Sequence, residues 1–412
     1  MNGNDVLKKK PSLLHCTSLY FHQKTSYLKL YTKHMEKNFN YTYFDIVTYF
    51  KSHGRKETEN YVKNIIYRFD IICITTDKPY FSFNFFQKLK KINKKLIIVY
   101  TDGDALTNFP SYSINFINEI DLYAINDSLA VINFLKKNKK NAMLWTAVYN
   151  NDFYKIKNAK KTNDVIFYGG VDETRDDYIN DIKQNEIKIG LFGKGFNNYF
   201  TPIEKLNIEI NKSKIGLGIN SISKKKIPET KYFKEFEFVT KHIKGKNLEI
   251  PLSGTFLLTE YFEDLNEIYT NNKDAVFFET KKEMTQLIKY YLKNDEIREE
   301  IALSGHLRAI KNMEGNVMAN KLINEIYKIY ENIDKNHKEK TIIKHKVEKN
   351  IFVTWSLNYA FIFFSQKNFK AFFDMLKVIK YGIPINYMLT RIKHLIIKIL
   401  IILKNTFFKK KT

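Results

Sequence analysis

Cysteine is nearly absent from this chain. Cys16 and Cys73 are the only two in 412 residues, which leaves no disulfide framework and no cysteine-based metal spacing. A reduced, cytosolic setting is the expectation. Long apolar runs are missing as well. IFVTWSLNYAFIFF and HLIIKILIIL break after about 10 to 14 residues, short of the roughly 18 to 20 that cross a bilayer. The opening MNGNDVLKKKPSLLHC holds no apolar core of the kind a signal peptide needs. No Ser-His-Asp, zinc-ligand or P-loop pattern is found. Acidic residues are scarce at one end: from Lys335 onward there are 17 basic residues and 3 acidic ones.

What is present is a two-domain chain with an appendage. The length exceeds one ordinary core, and 44% hydrophobic residues, rich in Phe, Tyr and Ile, suffice to bury two. The net charge of +24 divides unevenly, about +14 in the last 78 residues and +10 in the rest. Heavy use of Lys, Asn, Ile, Phe and Tyr also fits an AT-rich coding bias, which weakens any argument from lysine count alone.

Strands and helices alternate through the first 150 residues. Leu13 to Leu19, Asp45 to Tyr49, Asp70 to Thr75, Lys95 to Thr101, Asp121 to Ile125 and Ala142 to Val148 read as strands. A polar helix to Lys37, then Glu57 to Phe69, Phe81 to Ile92 and Asp127 to Lys136, read as the helices between them. Residues 151–163 are polar, lysine-rich and aperiodic, and read as a linker. The alternation restarts in 164–333, with strands DVIFY, Ile187 to Phe192, KIGLGI, Thr255 to Thr259 and Ala275 to Phe278. The expected class is α/β: two doubly wound, Rossmann-like domains facing a cleft.

Residues 244–260, KGKNLEIPLSGTFLLTE, organise the second half. A short helical segment carries Lys244, Lys246 and Glu249, a turn at Ser253-Gly254 ends it, and a continuous apolar run reads as a buried parallel strand. Charged side chains beside such a sheet stand at the usual ligand address of open α/β folds. The stretch resembles the donor-binding segment of GT-B glycosyltransferases, and within them the CgeB-like group of glycosyl transferases group 1, which reads roughly K-G-R-x-F-E-I-P-x-x-G-G-F-L-L-T-E-Y. The likeness runs from Asp164 to about Asn332.

That resemblance implies a nucleotide-sugar as donor substrate, with no other cofactor and no metal. It gives Glu249, five residues before Gly254, the ribose hydroxyls, and it places Gly254, Thr255 and Glu260 at the donor. Lys246 stands where the group has Arg, and Lys lacks the bidentate fork. Lys241 stands where many GT-B enzymes have an acidic residue. Lys246 and Lys244 suit a departing diphosphate, or are solvated lysines. Gly169 and Gly170, ending a strand that feeds a helix with Arg175, form a second phosphate candidate, unless Arg175 pairs with Asp172 or Asp176. Gly193-Lys194-Gly195 closes the next strand as a turn. Asp102-Gly-Asp104 has the outline of the D-x-D metal clamp of single-domain glycosyltransferases, and also of a plain turn. Asp102, Asp104 and His15, at the ends of first-domain strands, are the places to look for a general base.

Residues 334–412 read as a basic, apolar helical tail, whose part 351–412 has lysine-edged apolar faces suited to an anionic leaflet. The combined expectation is a cytoplasmic glycosyltransferase, peripheral on the inner face of the cell membrane, acting on a lipid-linked envelope glycan. Three alternatives stay open: a soluble acceptor with the tail as a packed cap, a non-catalytic nucleotide-sugar-binding protein, and a nucleic-acid binder. The last lacks any nucleic-acid module, and no nucleic acid is expected as partner.

Overall fold

The computed structural model describes residues 10–19, 29–76, 79–102, 116–126, 128–146, 153–170, 172–193, 195–196, 202–222, 240–333 and 348–381. The first domain is a parallel six-stranded sheet in the order β2-β1-β3-β4-β5-β6. Its strands are β1 (Ser12–Thr17), β2 (Asn40–Asp45), β3 (Ile71–Ile74), β4 (Ile97–Asp102), β5 (Leu122–Ile125) and β6 (Ala142–Leu144). Between them run α1 (Lys29–Asn38), α2 (Ile46–Ile65), α3 (Phe85–Ile92) and α4 (Leu129–Lys137). The second sheet is also parallel, ordered β11-β10-β9-β7-β8. It comprises β7 (Asn163–Tyr168), β8 (Ile189–Phe192), β9 (Ser213–Gly218), β10 (Phe256–Glu260) and β11 (Val276–Phe278). Its helices are α5 (Glu173–Gln184), α6 (Ile203–Asn211), α7 (Lys246–Leu252), α8 (Lys281–Lys293), α9 (Asp295–Met313) and α10 (Gly315–Glu331).

The strands are apolar on both faces because helices cover both. β3, β5 and β10 are buried at every position. Helix starts are fixed locally: Asp45, Ser128, Asp172 and Thr280 each accept a backbone amide of the first turn. One expectation fails here. Asp45 to Tyr49 is not a strand: β2 ends at Asp45, whose carboxylate accepts the Thr48 amide at 3.0 Å and starts α2.

The C-terminal helices return to the first domain. Tyr327 of α10 stacks on Phe39 at 5.3 Å and donates its hydroxyl to the Asn38 carbonyl. One core cluster therefore runs from Leu13 and Ile97 through Leu322 and Ile326 to Ile166 and Leu257. Beyond it, α11 (Glu348–Ser365) packs on α12 (Phe369–Leu376), which lies on α2, and Phe363 of α11 reaches Phe50 of α2 at 5.9 Å. Val353, Leu357, Phe363, Ala371 and Met375 are buried in the first-domain core. α2 is interrupted at Gly54 (φ 81°), and Asp374 caps the restart by accepting the Arg55 amide at 2.8 Å. The Arg55 guanidinium reaches the Pro79 carbonyl and Ser356. Over 348–381 the expected tail thus packs one face on the first domain, while the rest of 351–412 lies outside the described residues. Among the described residues no helix is long and apolar enough to cross a membrane.

Candidate functional site

Two glycines in β9 decide where α7 lies. A Cβ at Gly216 would overlap Ile250 of α7, and one at Gly218 would overlap Thr259. Without side chains there, α7 settles into the surface of the sheet, with Asn247 donating to Thr259 Oγ1 at 2.8 Å. This brings the first residues of α7 to the C-terminal edge of β7, β9 and β10. A second close approach shapes the same edge. Gly193 (φ 113°), just after β8, packs against the Gly169 backbone so tightly that any Cβ would collide with the Gly169 carbonyl. Gly169 in turn has a Cβ position only 3.2 Å from Lys246 Nζ.

Lys246 points inward, 7% exposed, and donates to the Tyr168 carbonyl at 3.0 Å. Its ammonium lies 4.8 Å from the Phe167 ring centre. Burial pulls its pKa down to about 7, Arg175 and Lys244 push the same way, and Glu249 and Asp172 oppose them. Glu249 sits one turn further along α7. Its enclosure raises its pKa, against the Tyr168 hydroxyl, Lys246 and the Tyr154 hydroxyl, which favour the carboxylate. Arg175, at the start of α5, donates to the Gly170 carbonyl at 2.6 Å and lies 3.3 Å from Asp172. The Asp172 pairing is therefore present, and it leaves the guanidinium beside the same mouth. Lys244 contacts the His242 ring, and its amide is held by Asn247 at 2.9 Å. The structure brings Gly169, Gly170, Arg175, Lys244, Lys246 and Glu249 together. Three cations crowd one strand edge, so a multivalent anion placed there would relieve their mutual repulsion and restore the Lys246 proton.

Two expected donor contacts lie elsewhere, and a third is already occupied. Gly254 and Thr255 precede β10, at the opposite edge of the sheet, because α7 runs antiparallel to the strands. Gly254 packs on Ile156, and the Thr255 hydroxyl donates to the Ile210 carbonyl at 3.0 Å. Glu260 does stand at the mouth, 2% exposed, but its carboxylate is occupied. It accepts the Asn220 and Ser221 amides and the Ser221 hydroxyl, and Lys241 lies 3.1 Å away. Glu260 thus fixes the chain after β9, and the unexpected cation at Lys241 is its counter-charge.

His15, in β1, is fully buried and engaged at both nitrogens, by the Tyr41 hydroxyl and by Thr75 Oγ1, each at 2.8 Å. Thr101 joins through Thr75 at 2.7 Å. The bonding holds His15 as a structural centre of the first-domain edge. Asp102 ends β4; Asp104 lies outside the described residues, as does Lys194. Among the described residues no group of three or more His, Cys, Asp or Glu is placed to hold a metal ion. Sequence reasoning missed Tyr168, Tyr154 and Asn247. Tyr168 was within reach, since it is the last strand residue before the Gly169 turn. Tyr154 was not, because it comes from the segment read as a free linker and is 4% exposed against the second domain.

Residues 175–324 match the sequence model of a family described as Glycosyl transferase-like. No curated protein matches the chain in sequence. Among solved structures the chain is similar to Anabaena HepE in complex with UDP and glucose, with TM-score 0.51 and 10% identity, over 77% of this chain and 100% of that one. Against HepE in complex with UDP-glucose the values are 0.50 and 12%, over 77% and 99%. At these identities the likeness speaks to the fold, and the fold is that of two-domain GT-B enzymes. The second domain is a glycosyltransferase domain, and the chain is a glycosyltransferase.

Proposed function

We propose that this glycosyltransferase takes its sugar from a nucleoside diphosphate donor held at the mouth of the second sheet. The observation that carries the reading is Lys246, buried with Arg175 and Lys244 around the Gly169 and Gly193 turns. Departure of the sugar leaves added negative charge on the diphosphate. Preorganised cations in a partly water-excluded site stabilise that charge most in the transition state. Glu249, flanked by the Tyr168 and Tyr154 hydroxyls, is assigned to the ribose hydroxyls as acceptor. Gly169 and Gly170 allow the phosphates to approach the backbone. HepE was captured with UDP, which makes uridine the first base to test.

The acceptor is assigned to the first-domain edge, where His15 of β1, Thr75 just after β3, and Thr101 and Asp102 at the end of β4 lie. Its finer identity is a membrane-linked glycan, handled by an enzyme peripheral to the inner face of the cell membrane. The motivation is the lysine-rich, apolar composition of 351–412. A soluble acceptor is the second reading, favoured by the packing of α11 and α12 onto α2.

The test is thermal stabilisation of the purified chain by a panel of nucleoside diphosphates and nucleotide-sugars, with Glu249→Ala in parallel. One nucleotide should raise the melting temperature of the wild type and fail to do so for the variant. A folded wild type that none of them stabilises would sink the donor assignment.

A further inference from the structure

We propose that the first domain carries a docking site for anionic lipid headgroups where α2 and α3 meet the C-terminal helices. The proposal deepens the membrane-linked reading above and rests on it. A cavity of about 310 Å³ opens there, lined by Arg55, Lys56, Lys88, Lys377 and Lys380, with Glu59 and Asp374 as carboxylates. Both carboxylates already have partners. Glu59 accepts the Ser82 amide at 2.5 Å, and Asp374 accepts the Arg55 amide and the Lys377 ammonium. The remaining balance is cationic. These cations come from α2, α3 and the turn Lys377–Tyr381, the last nearly three hundred residues beyond α3, so the fold alone collects them. Arg55 is fixed by Pro79 and Ser356 and forms a rigid wall.

The same C-terminal helices that give the cavity Asp374 and Lys377 also carry an apolar ridge. Phe364 is 53% exposed, Phe369 52% and Phe373 61%, and Ile379 in the following turn is exposed as well. The rings are contiguous: Phe364 lies 5.9 Å from Phe369 and 5.1 Å from Phe372, which is 5.1 Å from Phe373. Lys367 and Lys370 edge the ridge and are exposed. Apolar rings flanked by lysines suit the boundary of headgroups and acyl chains, with the cavity taking a phosphate. The occupant is an anionic leaflet rather than the chain's own terminus. Residues 382–412 add seven basic residues and no acidic one, and would be repelled by the cavity. A leaflet neutralises both at once. It would also hold the first domain, with its acceptor edge, against the membrane.

The test is sedimentation of the full chain with vesicles of mixed phosphatidylglycerol and phosphatidylcholine, against pure phosphatidylcholine. Wild type should sediment only with the anionic vesicles. Lys56→Glu, Lys88→Glu and Lys380→Glu combined should weaken that affinity by more than about tenfold, given roughly fivefold per lysine at such a surface. Phe369→Ser with Phe373→Ser should weaken it as well. Both variants should keep nucleotide stabilisation, which shows that fold and donor site are intact. Wild-type binding with the triple variant unimpaired would assign attachment to 382–412 and overturn this site alone. No wild-type binding to anionic vesicles would overturn the site together with the membrane-linked reading, and leave the donor reading to its own test.

Discussion

The C-terminal edges of the two parallel sheets are built alike and chemically opposed. In the second, strands end in glycine turns, and Arg175, Lys244 and Lys246 converge on Glu249. In the first, His15 of β1 is bonded to the Tyr41 hydroxyl of β2 and to Thr75, which Thr101 joins. The same topology thus gathers cations at one edge and a largely buried hydroxyl network at the other. Under the proposed reading, this asymmetry matches the two reactants. The leaving group departs with negative charge and demands cations, whereas a sugar acceptor attacks through a neutral hydroxyl.

The comparison breaks hardest at Lys246. Lys246→Met keeps the volume and removes the charge, and transfer should fall about 10²–10³-fold, as for other losses of a transition-state charge partner. The wild type should also show a diagnostic pH response. Lys246 is held near 7 in the fold against 10.5 ordinarily, so the unfolded chain binds more protons across that window. Stability without ligand should therefore rise with pH from about 7 upward. Bound diphosphate favours the protonated amine, so nucleotide affinity should fall as pH rises through about 7. Thermal melts and titration calorimetry across that range read both slopes, and Lys246→Met should flatten them. Slopes unchanged in the variant would move the titrating group elsewhere.

Glu260 tests whether the mouth of the second sheet is donor surface throughout. Glu260→Gln leaves the Asn220 and Ser221 amides with a poorer acceptor and strands Lys241. It should cost about 1–3 kcal/mol of stability, read by denaturant titration, while nucleotide affinity stays close to wild type. Lost affinity in a stable variant would return Glu260 to the donor.

The smallest effect belongs to the first edge. His15→Gln should lower stability by about 1 kcal/mol and leave the pH profile of transfer unchanged. Loss of a general base would instead reduce the rate by about 10²–10⁴-fold, which a steady-state assay of the purified variant would reveal.

Much of this was legible in the sequence. Strands such as IICI, IIVYT and FLLTE announce parallel sheets because continuous apolar runs must be covered on both faces. The placement of Lys244, Lys246 and Glu249 followed from a helix start beside such a strand. The misplacement of Gly254 and Thr255 has a simple cause: adjacency in sequence does not say which sheet edge a turn occupies, and α7 reverses direction between Glu249 and Gly254. The packing of the 351–376 helices on the first domain was hidden for a related reason. Apolar faces edged by lysine look the same whether they meet lipid or protein, and here Phe363, Ala371 and Met375 meet α2.

The sequence by itself determined the alternation of elements, the division into two sheets and the residue types at the start of α7, since these depend on local periodicity and capping. Only the tertiary structure decided that Gly216 and Gly218 let α7 sink into the sheet, that Lys246 turns inward, that Glu260 accepts backbone amides, and that Asp374 restarts a helix more than three hundred residues earlier. Each of these depends on atoms brought within a few ångströms by packing, and no local pattern encodes such a distance.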